Sequence, residues 1–295
     1  MSRAFAAFWF TVFSMFISLG TARADDGPQG SATVPSGSQN AGAGFISDWF
    51  SMVGKTQAEQ PHWVTPLATV TPRLEQEFRY DISRQVQPNG TTVLENFDGG
   101  KGLEVIPEPH IELLLNLPPY LVRSTNGVPD GYGDVSFLMK YRFASANEEH
   151  GNYIITAFFG GSIPTGSYTN GTKEGTITPS LALGKGWGNF DAITTIGGVL
   201  PVSETAIIGR QIVWNTTLQY RVLRKIWPEA EINSTFYSNG PNDGKKQTFV
   251  TPGLMLGKFP IWHRLGLTVG TGVQIAATQF HSYNHRYIFT LRLPF

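Results

Sequence analysis

The chain closes with His285-Arg286-Tyr287-Ile288-Phe289-Thr290-Leu291-Arg292-Leu293-Pro294-Phe295. Tyr287, Phe289, Leu291, Leu293 and Phe295 alternate there with Arg286, Ile288, Thr290, Arg292 and Pro294. Successive side chains on a β-strand point to opposite faces, so one face is apolar and aromatic while the other carries two guanidinium groups. The same period of two recurs upstream. Leu74, Gln76, Phe78, Tyr80 and Ile82 enclose Glu75, Glu77, Arg79 and Asp81, and Phe137, Met139, Tyr141 and Phe143 enclose Leu138, Lys140 and Arg142. Trp214, Thr216, Leu218 and Tyr220 alternate with Asn215, Thr217, Gln219 and Arg221, and Leu265, Leu267 and Val269 follow Arg264 in the same rhythm.

Such strands build either a secreted sandwich, with the apolar face inside, or a membrane barrel, with the apolar face toward lipid and the polar face toward the lumen. The terminal strand favours the barrel. A final amphipathic strand ending in phenylalanine resembles the insertion signal of Gram-negative outer-membrane barrels, with Tyr287, Phe289, Leu291, Leu293 and Phe295 as its face. That resemblance implies the barrel assembly machinery and outer-membrane lipid as partners. No apolar run after residue 24 approaches the length of a membrane helix.

Twelve candidate strands fall near 74–83, 102–107, 109–117, 133–144, 151–162, 176–186, 189–200, 208–223, 228–237, 248–257, 262–275 and 284–295. An even count suits a single-chain bacterial barrel. The stretch 102–107 is the least regular, which leaves ten strands as the alternative. Short connections at 107–109, 146–151, 186–188, 225–228 and 258–261 alternate with longer ones at 84–101, 118–132, 163–175, 238–247 and 276–283; only 201–207 departs from this. The expected fold is all-β, an up-and-down antiparallel barrel over 73–295 with both termini periplasmic. Two aromatic belts are expected. Tyr141, Phe143, Trp187, Phe190, Trp227, Phe259, Trp262 and Phe295 lie near the short turns, and Phe97, Phe159, Tyr168, Phe236, Tyr237, Phe249, Phe280 and Tyr283 near the long loops.

The N-terminal part follows other rules. Arg3, an apolar run over residues 4–20 and Ala22-Arg23-Ala24 fit a secretory signal peptide cleaved after Ala24. Residues 25–44, rich in Gly, Ser, Ala, Pro and Asn, suggest a flexible leader. Phe45, Ile46, Trp49, Phe50 and Val53 then recur at helical spacing. That short helix either seals a barrel end, lies on the membrane surface or forms a loose arm. Composition narrows the function. The 22 basic and 22 acidic residues balance, which excludes the basic excess that nucleic acid requires, and the absence of cysteine excludes disulfides and thiolate chemistry.

The polar half of the alternation supplies the candidate lumen residues: Glu75, Glu77, Arg79, Asp81, Lys140, Arg142, Arg221, Glu229, Glu231, Arg264, Arg286 and Arg292. Closure of the first strand on the last would set Glu75, Glu77 and Asp81 opposite Arg286 and Arg292. Opposed charges either make a field across a pore or hold register in a partly filled interior. No catalytic group is expected. A lipid hydrolase of this size would carry a His-x-Ser-Asn arrangement, but Phe236 stands before Tyr237-Ser238-Asn239, where a proton acceptor is needed. His281 and His285 are about 13 Å apart on a strand, too far to share a metal. Gly184-Lys185-Gly186-Trp187-Gly188 reads as a tight turn. Neither metal nor cofactor is implied.

Gly131-Tyr132-Gly133-Asp134 followed by Lys140-Tyr141-Arg142, then Ile163-Pro164-Thr165-Gly166-Ser167-Tyr168 and Thr178-Pro179-Ser180, resemble motifs of an outer-membrane family named for the meta-pathway of phenol degradation. The likeness spans roughly 70–295. It implies passage of small, aromatic or apolar solutes through a porin-like barrel; a non-conducting structural or binding barrel is the alternative. The export reading gives a direct expectation. Intact-mass measurement of the protein recovered from outer membranes should find a chain starting at Asp25, whereas one retaining residues 1–24 would overturn the cleavage site.

Overall fold

The computed structural model describes residues 39–99 and 101–295, with side chains from Gly44 onward. The signal peptide lies outside them, as does most of the expected leader. The helix α1 (Gln39–Ala58) begins inside that leader and runs longer than the apolar stripe suggested. Residues 59–76 follow without regular structure, and the wall begins after them.

The wall is one antiparallel sheet closed on itself. Its first part comprises β1 (Glu77–Val86), β2 (Val93–Asp98), β3 (Gly102–Glu108), β4 (Ile111–Asn116), β5 (Tyr120–Arg123), β6 (Gly131–Tyr132) and β7 (Val135–Ala146). The second comprises β8 (Tyr153–Ile163), β9 (Thr176–Trp187), β10 (Phe190–Pro201), β11 (Arg210–Tyr220), β12 (Ile226–Ser238), β13 (Lys246–Trp262), β14 (Leu265–Ala276) and β15 (His285–Pro294). Closure is the pairing of β15 with β1, from Glu77 opposite Pro294 to Val86 opposite His285. Apolar side chains such as Phe137, Leu181, Trp214, Tyr287 and Phe289 project outward, and polar ones such as Thr156, Thr217, Thr251 and Thr290 are buried within. That is the arrangement of a lipid-facing barrel.

Fifteen strands make twelve staves, because three staves break at mid-height. The chain of β2 continues into β3, that of β4 into β5, and that of β6 into β7. Below the break β3 pairs with β1 and β4, and above it β2 pairs with β1 and β5. Two of the breaks have a cause in the local backbone. Asp98 and Gly99 adopt left-handed backbone. Pro118 and Pro119 have no N–H to donate to a ladder. The connections 84–101 and 118–132, expected as loops, therefore hold β2, β5 and β6.

Several boundaries move for reasons of packing. The first strand begins at Glu77, not 74, because Leu74 turns inward and is buried with Val53 and Ile106. The turn expected at 225–228 lies at 221–225, with Trp227 and Pro228 already in β12, and β13 runs on through 258–261 to Trp262. Position parity also corrects both belts. Trp227, Phe249 and Tyr283 occupy inward positions and are at least nine-tenths buried, Tyr283 stacking on Phe249 with ring centroids 4.3 Å apart. Tyr141, Phe143, Trp187 and Trp262 near the short turns, and Phe159, Tyr168 and Phe236 near the long loops, are exposed as a belt requires.

The break between β6 and β7 explains the glycine-aspartate motif. Asp134 accepts hydrogen bonds from Gly166 N (2.8 Å), Thr172 N (2.7 Å) and Thr172 Oγ1 (2.7 Å). Thr165 Oγ1 accepts from Val135 N, and Ser167 Oγ from Tyr132 N. One carboxylate thus folds the long loop 163–175 against the rim. Replacing it by Asp134→Ala leaves these donors unpaired, at about 1–3 kcal/mol for the loop. Limited trypsinolysis should cut the variant after the exposed Lys173 about 5- to 150-fold faster than the parent, and equal rates would show that the loop is held by something else.

Candidate functional site: the occupied lumen

A segment with no regular structure cannot pair its own N–H and C=O groups, so each one buried must find a partner elsewhere. Residues 59–76 enter the barrel in this condition, and Pro61, Pro66 and Pro72 lower the number of donors to be satisfied. The inward charges of the wall supply the rest.

Carboxylates take the N–H groups. Glu229 accepts from Leu67 N at 2.9 Å, and Glu231 accepts from Ala68 N and Thr69 N, both at 2.7 Å. Glu112 accepts from Glu75 N. Cations take the carbonyls. Arg292 donates to Thr65 O (2.7 Å) and Pro66 O (2.6 Å), Arg79 to Leu67 O (2.6 Å), and Lys140 to Arg73 O (3.1 Å). Thr156 donates to Pro72 O at 2.6 Å, and Arg73 itself bonds back to Trp63 O. Ionised partners make these hydrogen bonds stronger than neutral ones.

The wall is also shaped for the segment. Trp63 and Leu67 are nearly fully buried, in one cluster with Ile154, Ile193, Trp227, Met255 and Ile288. A Cβ on Gly184 would lie 2.6 Å from the Trp63 ring, and one on Gly272 would lie 2.5 Å from Leu67 Cδ2. Both glycines sit at inward positions, so the bare backbone forms the sockets. Of the stretch expected as a tight turn, only Gly188, with φ of 62°, serves the turn; Gly184 and Gly186 belong to β9.

At the short-turn end α1 closes the approach. Trp49 Nε1 donates to Ile106 O at 2.8 Å, and Val53 is fully buried against Leu74 and Ile106. Phe45 and Ile46, expected on the same apolar face, remain exposed. The last carbonyls of a helix lack intrahelical donors. Here Arg142 donates to Thr56 O (2.8 Å), Asn147 to Ala58 O (3.2 Å) and Ser145 to the following Glu59 O (2.9 Å). Beyond the helix, His62 binds Glu148 in the β7–β8 turn through its ring Nδ1 and its backbone N–H, both at 2.7 Å.

The expected lumen residues therefore divide. Glu75, Glu77, Arg79, Asp81, Lys140, Arg142, Glu229, Glu231 and Arg292 are all buried inside. Arg286 points inward near the long loops, its guanidinium 5.5 Å from the Tyr283 ring. Arg221 sits at the short-turn rim over Trp227, because β11 has ended at Tyr220. Arg264 is not in the lumen. It lies in the β13–β14 turn, exposed, 4.7 Å over the Phe50 ring of α1. The expected pairing across the closure also fails. Arg292 stands opposite Arg79 in register, Asp81 pairs with Arg79 on its own strand at 2.7 Å, and Glu75 pairs with Arg73 at 3.2 Å. Arg292 is engaged instead by the carbonyls of the inserted segment. Sequence reading missed Glu104 and Glu112, whose carboxylates lie 3.9 and 2.8 Å from Lys140; their alternation with Leu103, Val105 and Leu113 was the available signal.

The sequence matches no protein-family model and no curated protein. Solved structures do share its fold, and two of them are an outer membrane channel and a porin. The COG4313 outer membrane channel from Pseudomonas putida F1 aligns with a TM-score of 0.55 at 13% identity, covering 79% of this chain and 100% of that one. The NanC porin aligns with a TM-score of 0.50 at 10% identity, covering 73% of this chain and 98% of its own. The chain is thus a closed twelve-stave antiparallel barrel with the fold of outer-membrane channels.

The contact between His62 and Glu148 has a pH signature. Burial pushes the Glu148 carboxyl up, but the two hydrogen bonds from His62 outweigh it and hold the group below the usual carboxylate value. A carboxyl depressed by folding stabilises the folded state above its unfolded pKa, and that contribution fades as pH falls through the folded value. Glu148→Gln should lower the midpoint of heat-modifiable gel migration by about 1–3 °C at neutral pH. The gap should close as pH drops below about 4; a gap independent of pH would show that this contact does not latch the segment.

Proposed function

We propose that this chain is an outer-membrane barrel that passes small solutes, and that residues 59–76 with α1 are its closure. The observation that carries this reading is the nature of the filling. The lumen charges bind the backbone of an irregular segment, so withdrawal of that segment would leave a passage lined by the same polar groups. With the short turns and α1 placed toward the periplasm and the long loops outside, the closure stands on the periplasmic side. The solutes implied by the likeness to the phenol meta-pathway family are small and aromatic or apolar. The outward face of β15 would serve the assembly machinery during insertion. No catalytic step enters this reading.

The same filling favours one other reading, a barrel that stiffens or binds at the envelope without conducting. Conductance across planar bilayers separates the two. The refolded full-length chain should be silent, and a chain lacking residues 25–72 should show steady openings. Gly184→Leu, which removes the socket of Trp63, should give intermittent openings without any deletion. Silence of all three, with heat-modifiable migration proving that each barrel folded, would sink passage and leave the structural reading.

A further inference from the structure

The inserted segment does not fill the whole lumen. A cavity of about 240 Å³ remains between Thr65–Thr71 and the inward face of β3, β4, β7, β8 and β9. Ser136, Ser162 and Thr176 mark its long-loop side, since they lie where β7, β8 and β9 meet their long connections. Its charges are uneven, with Arg79, Lys101 and Lys140 against the single carboxylate of Glu104.

Two of those cations are committed. Arg79 holds Asp81 through Nε and Nη2, and Lys140 holds Glu112 and the carbonyl of Arg73. Lys101 is not. Among the described residues its ammonium enters neither the hydrogen bonds nor the ion pairs, although it lines the cavity at the mid-height break, just before β3 begins at Gly102. Leu114 and Leu138 give the same cavity an apolar side, and Asn116 keeps its buried Oδ1 without a donor. An unpaired cation beside an apolar wall, in a volume below the roughly 300–1,000 Å³ of sites for drug-sized molecules, fits a small organic anion.

We infer that this cavity binds a small monocarboxylate with an apolar body, its carboxylate on Lys101 and its body against Leu114 and Leu138. The assignment names a solute class for the barrel and rests on the reading that solutes reach the lumen.

Calorimetric titration of the refolded full-length chain in detergent, in chloride-free buffer, tests it. Benzoate should bind saturably, and benzamide, its neutral counterpart, at least about tenfold more weakly, the order that one charge-assisted hydrogen bond gives. Lys101→Gln should bring benzoate down to the level of benzamide, Lys101→Arg should restore it, and Lys173→Gln in the outer loop should leave it unchanged. No saturable benzoate binding, equal affinity for benzamide, or an unaltered Lys101→Gln variant would each overturn the site. The titration reads binding and not passage. Benzoate held by Lys101 in a barrel that never conducts would sink the passage reading alone, whereas openings in bilayers together with no saturable benzoate binding by the full-length chain would sink this site alone.

Discussion

A stretch of backbone without helix or sheet, held inside a barrel, is the constraint from which the rest of this structure follows. Every amide and carbonyl of residues 59–76 that leaves water must be met by a group on the wall. Neutral side chains could meet some of them, but this wall meets many with ions. Glu229 and Glu231 face the amides, and Arg79, Lys140 and Arg292 face the carbonyls. The near balance of acids and bases in a chain so poor in charge acquires a reason. A peptide backbone presents donors and acceptors in equal measure, and a wall that grips it needs both signs.

This also explains where the sequence was legible. The barrel rests on alternation, a local property repeated along many strands, and each repetition confirms the others. The inner face of each stave was legible for the same reason, so nearly all the expected lumen charges are inside. What those charges touch was not legible. Arg292 faces Arg79 across the closing seam and would repel it, yet Arg79 is held by Asp81 and the Leu67 carbonyl, and Arg292 by the carbonyls of Thr65 and Pro66, far away in sequence. Nothing in the local pattern of β1 or β15 encodes that third participant. Parity likewise placed Trp227 and Phe249 inward against a general preference for aromatic belts, and parity prevailed because the cluster around Trp63 and the stack with Tyr283 need them there.

The broken staves show a second level at which the wall departs from a regular cylinder. Left-handed backbone at Asp98 and Gly99 and the consecutive Pro118 and Pro119 interrupt the ladders at about the same height on neighbouring staves. The upper halves keep their own ladders, β1 with β2, β2 with β5 and β5 with β6, and Asp134 ties the loop 163–175 to their last edge. The motif carrying the family resemblance is therefore structural in this chain. It anchors a loop, and the cavity beside Lys101 lies next to the region it stiffens.

The order of contacts along the inserted segment has a mechanical consequence. From its N-terminal side the grips come one after another, Arg142 on Thr56, Glu148 on His62, Arg292 on Thr65 and Pro66, Glu229 on Leu67, Glu231 on Thr69, and Thr156 on Pro72. A pull from that end loads them singly, as a zipper is loaded, and not together as in shear between paired strands. Each rupture frees a few residues, at roughly 3.3–3.6 Å of reach apiece, before the next grip takes the force. Such a filling opposes thermal escape with many contacts at once, while a directed tension meets the same contacts one at a time.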